Sequence, residues 1–150
     1  MAETADDGVD LVVLVLAAAS ALVEGLGAGM AARGFADVRP AHGFAFVRLS
    51  HGGATTTELA EHLGLTKQAA SIIAAELVQK GYVRREAHPE DGRAHLLRLT
   101  AKGRACTRAA TEVAAELSQR WRDEIGPRRA AAATQALAAL GEGGRLKPVW

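Results

Sequence analysis

Two short helical segments that meet at Gly64 constrain the fold of this 150-residue chain more than any other feature. Thr55 or Thr56 can cap the first segment, and a glycine readily ends it. The second segment runs from Thr66, a good N-cap, to Lys80. Apolar residues at helical spacing are Leu59, Ala60 and Leu63 in the first segment and Ala70, Ile73 and Leu77 in the second. Two helices joined by a tight glycine turn predict a helix-turn-helix, whose second helix fits the DNA major groove.

After this helix pair the apolar residues no longer recur at helical spacing, and the pattern predicts a β-hairpin. Charged residues interrupt the apolar ones from Tyr82 to Ala87, and residues 89–92 are turn formers. A second strand is expected from Ala94 to Leu99. Between residues 61 and 110 nine basic and five acidic residues give +4, although the whole chain carries only +1. A localised basic field of this kind favours a polyanionic partner such as DNA.

The start of the second helix carries side chains suited to reading DNA, namely Thr66, Lys67, Gln68 and Ser71. Lysine can donate to guanine acceptors, glutamine can pair with adenine, and hydroxyls can reach phosphate or base. Short polar residues at a helix start can also simply cap it, and that alternative stays open.

The run from residue 9 to residue 33 is apolar or small almost throughout, and we expect it to form a helix that ends at Gly34. A helix that is apolar on most faces must be covered from several sides, so a partner subunit is predicted, with burial inside one chain as the alternative. The uninterrupted apolar run, Leu11 to Val23, is short for a membrane span, and acidic residues precede it where a signal peptide needs positive charge. A cytoplasmic protein is expected.

Two more helices are expected on the C-terminal side. Thr100 can cap the first, the Gly126-Pro127 pair ends it, and an alanine-rich helix follows from Arg128 to Leu140. In the helix that begins after Thr100, the apolar positions expected to face inward are Ala110, Val113, Ala114, Leu117, Trp121 and Ile125. A shorter helix should begin at Pro40 and reach Ser50, with Phe44, Phe46, Val47 and Leu49 as its apolar contacts.

The spaced elements around the helix pair resemble the MarR (multiple antibiotic resistance regulator) family. They are Thr56-Glu58-Leu59-Ala60, Gly64-Leu65-Thr66-Lys67-Gln68, Leu77, Lys80-Gly81-Tyr82-Val83, Asp91-Gly92-Arg93 and Leu99-Thr100-Ala101-Lys102-Gly103. The resemblance implies a mainly α fold with a small β-hairpin wing, a winged helix-turn-helix forming a single domain over residues 1–150. Residues 40–100 would bind a pseudo-palindromic duplex, and residues 9–34 and 101–140 would form the homodimer. A transcriptional regulator, more often a repressor, is the implied function.

The resemblance also assigns roles on the wing. Arg93 would enter or border the minor groove, and Asp91 would fix this arginine by a charge-assisted hydrogen bond. Many relatives carry arginine where this chain has Ile72, which could touch a thymine methyl or pack inward. Further possible phosphate contacts are Arg84, Arg85 and Arg98, although charges on an edge strand also oppose aggregation.

Members of the family often release DNA when a small, frequently aromatic, effector binds. By resemblance the lining here would include His42, Phe46, Arg48 and Trp121, although a histidine and a phenylalanine in such a helix are more often packing residues.

Other function classes find less support in the sequence. The five histidines are too scattered for a metal motif, and no phosphate loop, nucleophile elbow or convincing acid pair indicates an enzyme or a cofactor. The single cysteine, Cys106, could support redox sensing if Arg104 and Arg108 lowered its pKa, but an inert buried thiol is expected. A winged helix that serves only protein association is a further alternative.

Overall fold

A computed structural model describes residues 6–141 of the chain. Its helices and strands, in chain order, are α1 (Asp6–Ala32), α2 (Pro40–Leu49), α3 (Thr56–Leu63), α4 (Lys67–Gln79), β1 (Val83–Ala87), β2 (His95–Leu99), α5 (Ala101–Ile125) and α6 (Pro127–Leu140). The two strands pair antiparallel, with Val83 opposite Leu99 and Ala87 opposite His95. The predicted fold class, mainly α with a small β-hairpin, is therefore confirmed.

Local capping chemistry places most of these boundaries. Pro40 is the first residue of α2, where its fixed φ costs nothing and its missing N–H is not needed. The hydroxyl of Thr55 accepts a hydrogen bond from the Glu58 N–H at 3.2 Å, and the Glu58 carboxylate accepts one from the Thr55 N–H at 2.7 Å. This reciprocal pair makes Thr55, and not Thr56, the cap of α3.

The core is centred on Tyr82, which follows α4 and precedes the hairpin. Its ring is fully buried with its centroid 5.6 Å from that of Phe46, and its hydroxyl donates to Asp37 Oδ1 at 2.6 Å. A side chain at Gly103 of α5 would overlap the Tyr82 carbonyl oxygen. The hairpin, α2 and α5 are therefore packed tightly around one residue, which fixes the wing relative to the helix pair.

Helix α1 packs on α5 through its C-terminal half. A Cβ at Gly29 would overlap Val113, and one at Gly25 would lie 3.0 Å from Leu117 Cδ2, so small residues permit the close approach. From residue 10 to residue 22 much of the helix lacks such cover, because Leu11, Val12, Val13, Leu14, Leu16 and Leu22 are all more than half exposed. By length and composition Asp10–Ala32 could also cross a membrane, but a single such helix near the N-terminus is weak evidence for a span.

Two predictions of inward-facing residues are wrong for the described chain. In α5 the buried residues all lie between Gly103 and Val113, whereas Ala114 and Trp121 are exposed. In α2 Val47 is 52% exposed, while Phe46 and Leu49 are buried as expected. The apolar spacing identifies a helix face correctly, but the face is longer than the core that covers it within one chain.

Candidate nucleic-acid interface

The start of α4 is presented by the turn between α3 and α4. Gly64 ends α3 in the left-handed region at φ 64°, a conformation that glycine adopts without a steric penalty. Thr66 then caps α4, because its hydroxyl oxygen accepts a hydrogen bond from the Ala69 N–H at 3.2 Å. The expected cap is therefore present, and a contact from the same hydroxyl to DNA stays a prediction.

The first two turns of α4 divide cleanly into a buried and an exposed face. Ala70, Ile73 and Ala74 are buried against the core. The opposite face carries Lys67 and Gln68, both exposed, and Ser71, which is half-buried. Ile72 is 58% exposed, so the inward-packing alternative for this residue is wrong. An isoleucine on the exposed face of a groove-binding helix is suited to contact with a thymine methyl.

A groove of about 690 Å³ separates the start of α4 from the wing. Lys67 and Ser71 line its helix side, and Arg85, Asp91 and Arg93 line its wing side. Five of the predicted DNA contacts are thus brought together in one concave surface with a net charge of +2. Side chains that sequence reasoning missed also line it, namely Thr56, Thr57 and His95. The alternation of β2 could have indicated His95, because it lies two residues from Leu97, which also lines the groove.

Asp91 holds the wing tip through the backbone of Arg93. Its Oδ1 accepts a hydrogen bond from the Arg93 backbone N–H at 3.0 Å, and no ion pair joins the two side chains within residues 6–141. Asp91 therefore fixes Arg93 by a hydrogen bond to its charged carboxylate, and the donor is the backbone N–H. An aspartate commonly closes a turn in this way, because its carboxylate reaches the N–H two residues on. The Arg93 guanidinium is left exposed at the edge of the groove.

Arg84 and Arg98 are not brought to this groove. They face each other across the hairpin on the side opposite Arg85, as strand alternation requires. Glu86 lies between them, with its Oε1 2.7 Å from Arg84 Nε and its Oε2 2.7 Å from Arg98 Nε. The Arg98 contact is close enough for an ion pair, although its N–H makes no hydrogen bond of good geometry. Arg98 also donates to the Gly52 carbonyl oxygen at 2.9 Å.

Comparison with protein families identifies the part of the chain that holds this groove. A model of the MarR family matches residues 32–94, which run from the end of α1 through the helix pair to the wing. This segment of the chain is similar to the MarR family. The predicted resemblance is thereby confirmed, and the family consists of transcription regulators, which are generally not enzymes. A comparison with curated proteins gave no match.

Solved structures of MarR-type proteins resemble this chain over a longer stretch than the matched segment. The chain is 27% identical to RV1404 from Mycobacterium tuberculosis, with a TM-score of 0.72 over 95% of this chain and 97% of that one. It is 25% identical to the transcriptional repressor CouR bound to a 23-mer DNA duplex, with a TM-score of 0.70 over 85% and 89%. Wild-type MarR from E. coli, 21% identical with a TM-score of 0.68 over 85% and 93%, shares the fold.

The four residues expected by resemblance to line an effector site lie in different surroundings. Phe46 is 3% exposed and belongs to the core around Tyr82. Arg48 donates to the Gly53 carbonyl oxygen at 2.8 Å and pairs with Glu58. Trp121 lines a cavity of about 500 Å³ between α5 and α6, whose lining includes none of the other three. The structure therefore does not bring the four into one cavity.

His42 has a defined structural partner on α4. Its Nδ1 accepts a hydrogen bond from the Arg39 N–H at 3.1 Å, which leaves the proton of the neutral ring on Nε2. That nitrogen lies 3.0 Å from Glu76 Oε2, and Arg39 pairs with the same carboxylate. Burial lowers the pKa of His42, against the opposing effect of the Glu76 hydrogen bond. A neutral, buried His42 thus connects α2 to the helix that faces the groove.

Cys106 is fully buried in the first half of α5. Burial raises the pKa of its thiol to about 11, in the direction opposite to that of a reactive cysteine. Arg104 instead donates to the Leu99 carbonyl oxygen at 3.0 Å. The geometry favours the inert thiol over the redox-sensing alternative.

Proposed function

We propose that this MarR-family protein is a cytoplasmic, homodimeric, sequence-specific regulator of transcription that acts as a repressor and releases DNA when a small effector binds. Residues 40–100 would bind the duplex, and the helices within residues 9–34 and 101–140 would form the dimer. The proposal assigns the chain no catalytic role. It agrees with the family match and with the structural likeness to a repressor bound to DNA.

The groove between α4 and the wing is the observation that carries the proposal. The exposed start of α4 offers Lys67, Gln68 and Ile72 to base edges, while Arg85 and Arg93 flank it on the wing. A recognition helix places its N-terminal residues in the major groove, and an exposed arginine on a wing is suited to a narrow minor groove. The helix supplies specificity and the arginines supply charge.

The uncovered half of α1 supports a homodimer. Its exposed leucines and valines form an apolar surface that water solvates poorly, and Leu137 and Leu140 of α6 are also more than half exposed. A second copy of the chain offers an equally apolar surface, so an isologous interface would bury both. A dimer also fits a pseudo-palindromic operator whose half-sites lie about one helical turn apart.

Salt dependence of binding tests this function directly. An operator selected from a random duplex library is labelled, and its affinity is measured by fluorescence anisotropy over a range of salt concentrations. Lys67, Arg85 and Arg93 in two protomers bring six cations to the duplex, and neutralisation of one phosphate by each predicts a log-log slope of about −5. A slope near zero would reject DNA binding and favour a winged helix that serves only protein association.

The salt dependence of operator binding by Arg93→Ala, compared with that of wild type, tests the role of the wing. The dimer would lose two cations at the edge of the groove, so the slope should become shallower by about 2 and affinity should fall for all sequences. An unchanged slope would mean that the wing does not dock as proposed.

A further inference from the structure

A second basic cavity lies at the base of the wing, on the face opposite the groove. Its volume is about 440 Å³, and it is an open cavity bordered by the end of α2, both strands and the first half of α5. Four arginines line it, Arg84 and Arg98 from the strands and Arg104 and Arg108 from α5. Such a volume lies within the usual range for small-molecule sites, about 300 to 1,000 Å³.

The charge of this cavity is only partly neutralised within the described chain. Glu86 is the carboxylate that contacts Arg84 and Arg98, which leaves a net charge of +3 around the cavity. Arg104 uses one of its donors on the Leu99 carbonyl oxygen. Arg108 is exposed and makes no side-chain hydrogen bond or ion pair within residues 6–141. Guanidinium groups held at several sides of one cavity are suited to bidentate binding of an oxyanion.

The remaining lining limits the ligand further. Hydroxyl groups of Ser50, Thr107 and Thr111 also line the cavity, but each donates its proton to a helix carbonyl oxygen, at 2.7, 2.9 and 3.1 Å respectively. Their protons are thus already used within the helices, and the guanidinium groups are the side-chain donors that remain for a ligand. Leu49 and Leu99 supply apolar surface beside the arginines.

We propose that this cavity binds a small molecule that carries a dianionic group, such as a phosphate monoester, next to an apolar group. Two negative charges match the excess positive charge better than one, and the apolar group would cover the two leucines. The site is separate from the four residues that the family resemblance suggested for an effector, because its lining includes none of them. The ligand would lie on the reverse side of the strands that carry Arg85 into the DNA groove.

Calorimetric titration of the DNA-free, full-length protein tests the site, with phenyl phosphate as the probe at fixed ionic strength. We expect saturable binding with one molecule per chain, weaker binding of inorganic phosphate and no binding of benzyl alcohol. Arg108→Gln should raise the dissociation constant of phenyl phosphate about tenfold, because a charged donor is lost from the oxyanion. Arg120→Gln, which alters an exposed arginine farther along α5, should leave it within about twofold.

Three results would overturn the proposal. The first is the absence of saturable phenyl phosphate binding. The second is an equal loss of affinity in Arg108→Gln and Arg120→Gln, which would reflect unspecific attraction to a basic surface. The third is a loss in Arg85→Gln but none in Arg108→Gln, which would assign the anion to the DNA groove. Circular dichroism of each variant establishes that it is folded, which the exposure of these arginines leads us to expect.

Discussion

The Nε2 atom of buried His42 lies 3.0 Å from Glu76 Oε2, and this contact joins α2 to α4, the helix that lines the groove beside the wing. The ring holds its tautomer because Nδ1 is occupied by the Arg39 N–H. Arg39 and Lys80 are the cationic groups that face the ring, and both oppose a second positive charge on it. A neutral His42 is therefore part of the arrangement that holds α4 in the folded protein.

His42→Ala should lower the free energy of unfolding by about 2 to 3 kcal/mol, because it leaves a cavity and removes the partner of two polar groups. Chemical denaturation at pH 7.5 measures this change. His42→Gln restores much of the volume and an acceptor, and we expect it to recover about half of the loss. If His42→Ala is as stable as wild type, the contact contributes nothing to the fold.

The same histidine predicts a pH dependence of stability. Its folded pKa is lowered from the ordinary value of 6.5, so the unfolded chain takes up the proton first as the pH falls. The contribution of His42 is fully present above pH 6.5 and is lost as the pH falls from there toward the folded pKa. Unfolding measured between pH 7.5 and 5.5 should show a smaller decrease in stability for His42→Gln than for wild type. Parallel curves would contradict the assignment.

Arg85 and Arg84 are adjacent in sequence but lie on opposite faces of β1, which makes them a matched pair. Arg85→Ala removes a cation from the groove and should weaken operator binding about tenfold or more in the dimer. Arg84 pairs with Glu86 away from the groove, so Arg84→Ala should change affinity by less than about threefold. Anisotropy titrations at one salt concentration compare the two. Equal losses would show that the two faces of the wing do not differ in DNA binding.

The exposed face of α4 should set sequence preference. Gln68→Ala or Lys67→Ala should cost about 1 to 3 kcal/mol at the selected operator and relax one base position, if either makes a bidentate contact. Ile72→Ala should weaken preference at a thymine without changing the salt slope, because it carries no charge. Selection from a random duplex library reads out all three. Unchanged specificity in every variant would reject α4 as the recognition helix.

Gly29 and Gly27 test the packing of α1 on α5. A Cβ at Gly29 overlaps Val113, whereas one at Gly27 meets nothing within 4 Å. Gly29→Ala should therefore destabilise the protein by about 1 to 3 kcal/mol through overpacking. Gly27→Ala should stabilise it by up to about 1 kcal/mol, since alanine favours the helix. Thermal and chemical unfolding of the two variants should differ in sign, and a stabilised Gly29→Ala would place α1 differently.

Leu14 tests whether the uncovered half of α1 is a dimer interface. Leu14→Asp would bury a charge in an apolar contact and should raise the dimer dissociation constant about 100-fold or more. Val47→Asp alters a similarly exposed residue on α2 and should leave the dimer intact. Sedimentation analysis gives the outcome. A wild-type monomer, or wild-type protein recovered with membranes, would argue for another role of this helix.

Local chemistry in the sequence was sufficient to predict the secondary structure. The caps at Thr66 and Thr100, the proline at the start of α2 and the glycine after α3 act on hydrogen bonds within a few residues of themselves. The turn and the alternating strands likewise predicted the hairpin from neighbouring residues. These features, with the family resemblance, led to the correct fold class before any long-range contact was known.

Only the tertiary structure determined which polar side chains from distant segments are in contact. Glu76 is 34 residues from His42, and Arg98 is 46 residues from Gly52, so neither contact leaves a local pattern in the sequence. Strand pairing places Arg85 and Arg84 on opposite faces of the wing. Trp121 and Ile72 are exposed because no other segment of the described chain covers them completely. Short-range hydrogen bonds specify where helices begin and end, whereas packing between distant segments determines which side chains form a site.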